Sequence, residues 1–373
     1  CCIISAANQK VVSKFTFKHD KSVFEQLNLI LNSLSNPEDI KIGFESTAHY
    51  ALNLELFLEN AHHSFMEVNP VLIKEYKKST TLRRTKTDSV DCESIARWLI
   101  TVEYKPHSKG FYHAYSLKSL TRLRDRLIRQ RSFYLVKITN VLDHTFPEFK
   151  PFFNERLSKT ALYLLENYGS AEKMARMNSA SYDKLRCISR GKFSIQQFLR
   201  LKELAANTVG VNNSIFDLEL NTLLTLYKSL SDEINTLETE IIKLIEEVHP
   251  HYMSIPGIGP ISSAVIYAEY GDISNFSNPG QMLAFAGIEP GINDSGTESH
   301  GGRMVKHGSS QLRYVLLNAC LPLIRFDLTF ATYYEKKRAE GKKHRVAITH
   351  VAKKLIRVIY ALERQDVDFN AQK

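Results

Sequence analysis

The chain has 373 residues, 43% hydrophobic and 24% charged, with 16 Gly and 11 Pro, a globular composition that excludes a collagenous or globally disordered protein. Lys, Arg, Asp or Glu interrupts every apolar run before the roughly 18 to 20 residues a membrane span needs, so no membrane association is expected. The 49 Lys and Arg against 40 Asp and Glu leave a formal charge of +9, which suits a polyanionic partner.

Five scattered cysteines (Cys1, Cys2, Cys92, Cys187 and Cys320) lack Cys-x-x-Cys spacing, which argues against a disulfide framework or zinc ribbon and for a reducing, cytoplasmic setting. The sequence starts at Cys1 rather than Met, with Cys1 to Ala6 reading as a strand already under way, so the native N-terminus is expected upstream. A period-two run, KVVSKFTFKH, follows as the second arm of a hairpin, then a helix with Phe24, Leu27, Ile30 and Leu31 on one face. IKIGFE, ending at Glu45, reads as a buried strand, a helix is predicted from about Tyr50 to Asn60, and SFMEV is a further strand ending at Asn69-Pro70. Strand and helix alternate through residues 1–110, which predicts an α/β domain.

From about Leu117 the pattern becomes long helices. Leu120, Leu123, Leu127, Tyr134, Ile138 and Val141 share a face, ringed by Arg122, Arg124, Arg126, Arg129 and Arg131, until Pro147 and Pro151 stop the helix. A second helix carries Phe216, Leu220, Leu223, Tyr227, Leu230, Ile234, Leu237, Ile241, Leu244 and Val248 in alternating steps of four and three, a heptad seam of about 50 Å. The seam must pack against the earlier helix or against a second protomer. Between them, residues 152–210 read as short helical segments punctuated at Gly169 and Gly191. The helical region therefore spans 111–249, and a Gly- and Pro-rich domain opens at 250 and runs to 373.

Asp88 and Asp91 stand three apart at the start of a predicted helix, so both carboxylates project from one face and invite a hard cation. Acids in a first helical turn are also favoured by the macrodipole alone. Glu45, following an apolar strand, is costly unless it faces a cleft, a metal or solvent. One strand-end carboxylate with two on a later helix suits Mg²⁺ held against a phosphate. Lys77, Lys78, Arg83, Arg84 and Lys86 precede the acid pair and could neutralise nucleic-acid phosphates. SIPGIGP, with Gly257 and Gly259, has the form of a helix-hairpin-helix turn whose glycines let backbone amides approach a phosphate. Ser295 lies in a polar, Gly-flanked stretch read as a loop, and neither His300 nor His307 gives a local Ser-His dyad. Lys306 and Arg313 follow in KHGSSQLR.

These segments resemble the insertion sequence one-ten family of bacterial transposases, which includes Piv-type DNA invertases and bridge-RNA-guided recombinases. The resemblance rests on FESTAHY, VNPVLIKEY, KTDSVDCESIA, SIPGIGPISSAVIYAEYGDISNF, LAFAGIEP, Ser295-Gly296 and KHGSSQLR. It implies a RuvC-like, RNase H-fold domain with a DEDD acid set, a coiled-coil middle and a mostly helical C-terminal domain with a catalytic serine. Glu45, Asp88 and Asp91 match three of the four acids and the Mg²⁺ ligands; the first acid belongs to a G-x-D strand expected just before Cys1. Ser295 matches the serine, which forms a phosphoserine link to DNA. Further implications are a structured bridge RNA that selects target and donor DNA by pairing, a homodimer or homotetramer in which one protomer's acids meet another's serine, and a bacterial, nucleoid-associated location. A protein-guided invertase, a RuvC-like structure-specific nuclease using the acids alone, and a non-catalytic scaffold are the alternatives; the last two have no need of the Ser295-Gly296 segment.

Overall fold

The computed structural model describes residues 1–45, 51–80, 87–104, 106, 111–154, 157–295 and 298–371, with the backbone alone at 37, 111–113, 290–295 and 298–303. The chain is mostly helical with few strands and divides into two compact units, Cys1–Phe111 and Tyr112–Lys373.

The first unit opens with an antiparallel pair, β1 (Cys2–Ile4) and β2 (Val11–Lys14). Helix α1 (Lys21–Leu34) starts where the Asp20 side chain accepts from the Val23 N–H, and its apolar face buries Phe24, Leu27 and Leu31. There follow β3 (Ile42–Glu45), α2 (Ala51–Asn60), β4 (Phe65–Val68), α3 (Pro70–Thr80) and α4 (Asp88–Thr101). Strands β3 and β4 are parallel, as a helical crossover requires, with Ile42 opposite Phe65, Gly43 opposite Met66, Phe44 opposite Glu67 and Glu45 opposite Val68.

This register sorts side chains onto two faces. Ile42, Phe44 and Phe65 pack with Leu27, Leu31 and Leu58 beneath α1 and α2, whereas Met66 and Val68 pack with Ile73, Ile95 and Leu99 of α3 and α4. Gly43 is required by the second face, because a Cβ there would lie 2.7 Å from Leu99 Cδ1. Beyond α4, the Tyr104 hydroxyl accepts from the Ile42 N–H at 3.2 Å and donates to the Ser64 carbonyl at 2.9 Å, tying the starts of both strands together.

The second unit is built around two 35-residue helices, α5 (Phe111–Thr145) and α11 (Ser214–Val248). Between them lie α6 (Phe149–Phe152), α7 (Lys159–Tyr168), α8 (Ala171–Ala175), α9 (Ser179–Ile188) and α10 (Ile195–Ala206). Ser158, Ser170, Asn178 and Ser194 cap α7 to α10 in turn, and Gly169 ends α7 at φ 69°. The short helices close on Ile138, Val141 and Leu142 of α5 and Leu220 and Leu224 of α11, while Leu117 at the other end of α5 clusters with Ile241 and Ile245. Early α5 thus meets late α11, so the two helices run antiparallel and the chain supplies its own partner for both ends of the heptad seam. An Arg124 Nε–Glu238 hydrogen bond of 2.7 Å joins them midway.

After α11 come α12 (Pro260–Tyr270), α13 (Pro279–Ala286), β5 (Pro290–Ser295), β6 (Glu298–Met304), α14 (Ser310–Phe326), α15 (Leu328–Ala339) and α16 (His344–Gln365). Helix α16 runs through the core here, burying Ile348, Val351, Leu355, Ile356 and Ile359 against Leu312, Leu316, Cys320 and Leu323 of α14. Glu269 on α12, with a side chain only 2% exposed, takes a bidentate pair of bonds from Arg122 of α5 at 3.0 and 3.2 Å. Among the described residues no single helix is long and apolar enough to cross a membrane; α14 and α15 pass together on composition but are bent by 107°.

Candidate active site

Glu45 is the last residue of β3, at the carboxyl end of the parallel pair, where open α/β sheets place ligands. It alternates with Gly43, so it belongs to the face covered by α4. Gly43 lies against Leu99, near the end of α4, and Ile42 is tied to Tyr104 just beyond that end. Moving along β3 toward Glu45 therefore moves back along α4 toward its first turn, which carries Asp88 and Asp91. The acids continue the stripe of Ile95 and Leu99 that packs on the sheet.

The Thr87 side chain starts α4 by accepting from the Val90 N–H, placing Asp88 at the first helical position, exposed, and Asp91 half-buried one turn on. Both carboxylates are favoured by the amino-terminal end of the helix dipole. Asp91 is ion-paired with Lys77 of α3, the two side chains being 24% and 22% exposed. Lys78, its neighbour, turns instead to Glu75 at 2.6 Å on the open surface. Arg83, Arg84 and Lys86 lie outside the described residues. Among the described residues no three His, Cys, Asp or Glu side chains gather as a ready metal cage. The structure thus gives Glu45, Asp88 and Asp91 a common face and a common end of the first unit, without closing them into a cluster.

Ser295 ends β5 in the second unit, directly opposite Glu298 of β6. The stretch read from sequence as a loop is in fact an antiparallel hairpin, with Asn293 opposite His300 and Asp294 opposite Ser299 and a register shift between Pro290 and Ile292. Its glycines and polar residues lack the β-branched alternation that marks a strand, so the ladder rests on backbone pairing. Ser295 stands at the hairpin's tip, and Gly296 lies outside the described residues.

Gly257 and Gly259 differ in what demands them. Gly257 has φ 98°, and a Cβ there would lie 2.5 Å from Pro322 Cγ and 2.7 Å from the Ala319 carbonyl oxygen, so its small size serves packing against α14. Gly259 precedes α12 and has open space where a Cβ would point. Lys306 is exposed just after β6. Arg313 on α14 donates from Nη1 to the Ala286 carbonyl at 3.1 Å, satisfying the end of α13 beside the left-handed Gly287.

Two features escaped the sequence. The Lys77–Asp91 pair joins residues on different helices with no local pattern to announce it. Glu55 of α2 is 2% exposed and faces Glu67 of β4; burial first, then the bond to Glu67 and its charge, push the Glu55 carboxyl up to about 8. Here a signal existed, because Glu55 falls on the apolar stripe with Ala51 and Leu58, and Glu67 alternates with Phe65.

Residues 1–147 match a family model described as the transposase of the DEDD type of IS110, and residues 250–335 match one described as the transposase IS116/IS110/IS902 family. The chain is 27% identical to an insertion element IS110 uncharacterized 43.6 kDa protein of Streptomyces coelicolor, over 63% of this chain and 60% of that protein. It is 25% identical to an insertion element IS900 uncharacterized 42 kDa protein of Mycobacterium paratuberculosis, over 98% of this chain and 92% of the relative. A pilin gene-inverting protein of Moraxella bovis is 23% identical over 95% of this chain and 90% of its own. The two segments that hold the acids and the serine are thus the two that the models match. The chain belongs to the IS110 family of insertion-sequence transposases.

Proposed function

We propose that the protein is a DNA transposase that cuts and rejoins strands through a phosphoserine intermediate, directed to its target and donor DNA by a structured bridge RNA. The observation that carries this reading is the presence on one chain of both family matches, the first containing Glu45, Asp88 and Asp91 and the second containing Ser295. A nuclease working through carboxylates alone would have no use for the second. The first unit is read as a RuvC-like, RNase H-fold domain, the α5–α11 pair as a coiled-coil spacer, and the active assembly as a homodimer or homotetramer.

The Ser295 hydroxyl attacks a DNA phosphorus, losing its proton as the new P–O bond forms. The bond from phosphorus to the strand oxygen breaks, and that oxygen leaves as a hydroxyl after taking a proton. The phosphodiester energy is conserved in the serine ester, so a hydroxyl of the incoming strand can later attack the same phosphorus and free Ser295. Glu45, Asp88 and Asp91 are the residues to hold Mg²⁺, which when bound polarises the phosphoryl oxygen. All three are carboxylates, the oxygen chemistry that ion prefers, and they share one end of the first unit without being gathered into a cage. Exposed Lys306 and the Arg- and Lys-rich stretches contact the phosphate backbone, which carries affinity while pairing carries sequence.

Similarity to a pilin gene-inverting protein along 95% of the chain favours a second reading, a site-specific invertase whose sites the protein itself reads. One experiment addresses both. The protein is purified after expression beside its flanking DNA, its nucleic acid is sequenced, and strand transfer is measured for wild type and Ser295→Ala. A single structured RNA encoded next to the gene is expected, with strand transfer lost in Ser295→Ala by at least about a thousand-fold and nucleic-acid binding kept. Heterogeneous nucleic acid would favour the invertase, and strand transfer surviving in Ser295→Ala would remove the serine from the mechanism.

A further inference from the structure

We propose that Lys77 is a positioning residue of the acid site, a built-in cation that competes with a divalent metal for Asp91. The inference rests on reading Glu45, Asp88 and Asp91 as a metal-binding set.

Four observations converge on it. Lys77 and Asp91 are ion-paired across two helices, α3 and α4, rather than along one, so the contact is set by tertiary packing. Both side chains are three-quarters or more withdrawn from solvent, at 22% and 24% exposure, where a charge pair is screened far less than on the open surface. Asp91 Oδ1 is buried and takes no hydrogen bond from any other described residue, so the ammonium is its counter-charge there. The adjacent Lys78 is spent on Glu75, at 61% and 59% exposure, which makes Lys77 the lysine of this pair directed at the acids.

An ammonium and a divalent ion cannot share one carboxylate oxygen, because their like charges repel strongly at contact distance in a partly buried site. A divalent ion that takes Asp91 Oδ1 therefore displaces Lys77, and the flexible lysine stem allows the displacement without moving α3. The ammonium is then released beside the acids, where a DNA phosphate would bind. Lys77 thus holds the Asp91 side chain in place before the metal arrives, lowers the site's intrinsic affinity for metal, and becomes a phosphate ligand once metal is bound.

The test is Mn²⁺ binding to the full-length chain, read by the electron paramagnetic resonance of free Mn²⁺, for wild type, Lys77→Gln, Lys77→Arg, Lys78→Gln and Asp91→Asn. Lys77→Gln is expected to bind Mn²⁺ about ten-fold more tightly than wild type, a coupling of ordinary size. Lys77→Arg and Lys78→Gln should stay within about two-fold, and Asp91→Asn should bind more weakly. General loss of structure cannot tighten a metal site, so the direction separates positioning from a merely structural role. If Asp91→Asn weakens binding while Lys77→Gln matches wild type, the competition is overturned and the acid site stands. If Asp91→Asn binds as wild type does, the acid site itself is overturned, and the competition with it.

Discussion

Gly257 shows how one residue can satisfy a motif and still serve another purpose. In SIPGIGP it invites a phosphate-binding reading, yet its α-carbon faces Pro322 and Ala319 of α14, and its φ of 98° is a conformation L side chains rarely adopt. Gly257→Ala should therefore destabilise the second unit by roughly 2 to 4 kcal/mol, measured by denaturant unfolding, through clash and backbone strain. Unchanged stability accompanied by weakened nucleic-acid binding would restore the phosphate role. Single residues were unevenly legible. Asp88 and Asp91 could be placed on one turn because helical spacing is a local property, and Glu45 at a strand end because IKIGF is apolar. Their common face was not legible, since it depends on the β3–β4 register and on how closely α4 approaches Gly43.

At the scale of elements, α2 and β4 are joined by a carboxyl pair in an otherwise apolar layer. The Glu55 carboxyl, raised from 4.5 to about 8, stays protonated beside Glu67 in the folded unit but ionises at ordinary acidity in the unfolded chain. A carboxyl whose folded pKa is raised binds its proton more tightly in the native state, so this stabilisation is complete below about pH 4.5, declines as pH rises, and is gone once pH has passed about 8. Glu55→Gln should abolish that decline and raise the melting temperature of the first unit by several degrees at pH 8.5, with little change at pH 5. Trp98 on α4 is the chain's single tryptophan, so its fluorescence follows this unit. A wild-type melting profile flat between pH 5 and 8.5 would contradict the raised Glu55 carboxyl.

Elements also differed in legibility for physical reasons. The long helices announce themselves by periodic apolar faces, and the seam on α11 is indeed buried at Leu220, Ile234 and Ile241. The sequence left open what covers it, because a heptad pattern records a need for a partner and not its source; α5 meets that need at both ends. The β5–β6 hairpin has the sequence of a loop, because Gly and polar residues there suppress the alternation that identifies strands.

At the scale of the whole molecule, Glu45, Asp88 and Asp91 lie in one compact unit and Ser295 in the other, each inside a segment that a transposase model matches. Rejoining without an external energy source needs the phosphodiester energy conserved, either by direct attack of one strand's hydroxyl on the other strand's phosphodiester or through a covalent serine ester, and the proposed route is the second. The central claim is therefore that Ser295 forms that ester. The measurement that tests it most directly is trapping the protein on a suicide DNA substrate, in the presence of its copurified RNA and Mg²⁺, and mapping the attached nucleotide by peptide mass spectrometry. The account predicts a nucleotide phosphate on Ser295, absent in Ser295→Ala. Cleaved DNA with no covalent adduct, or an adduct on another residue, would contradict it.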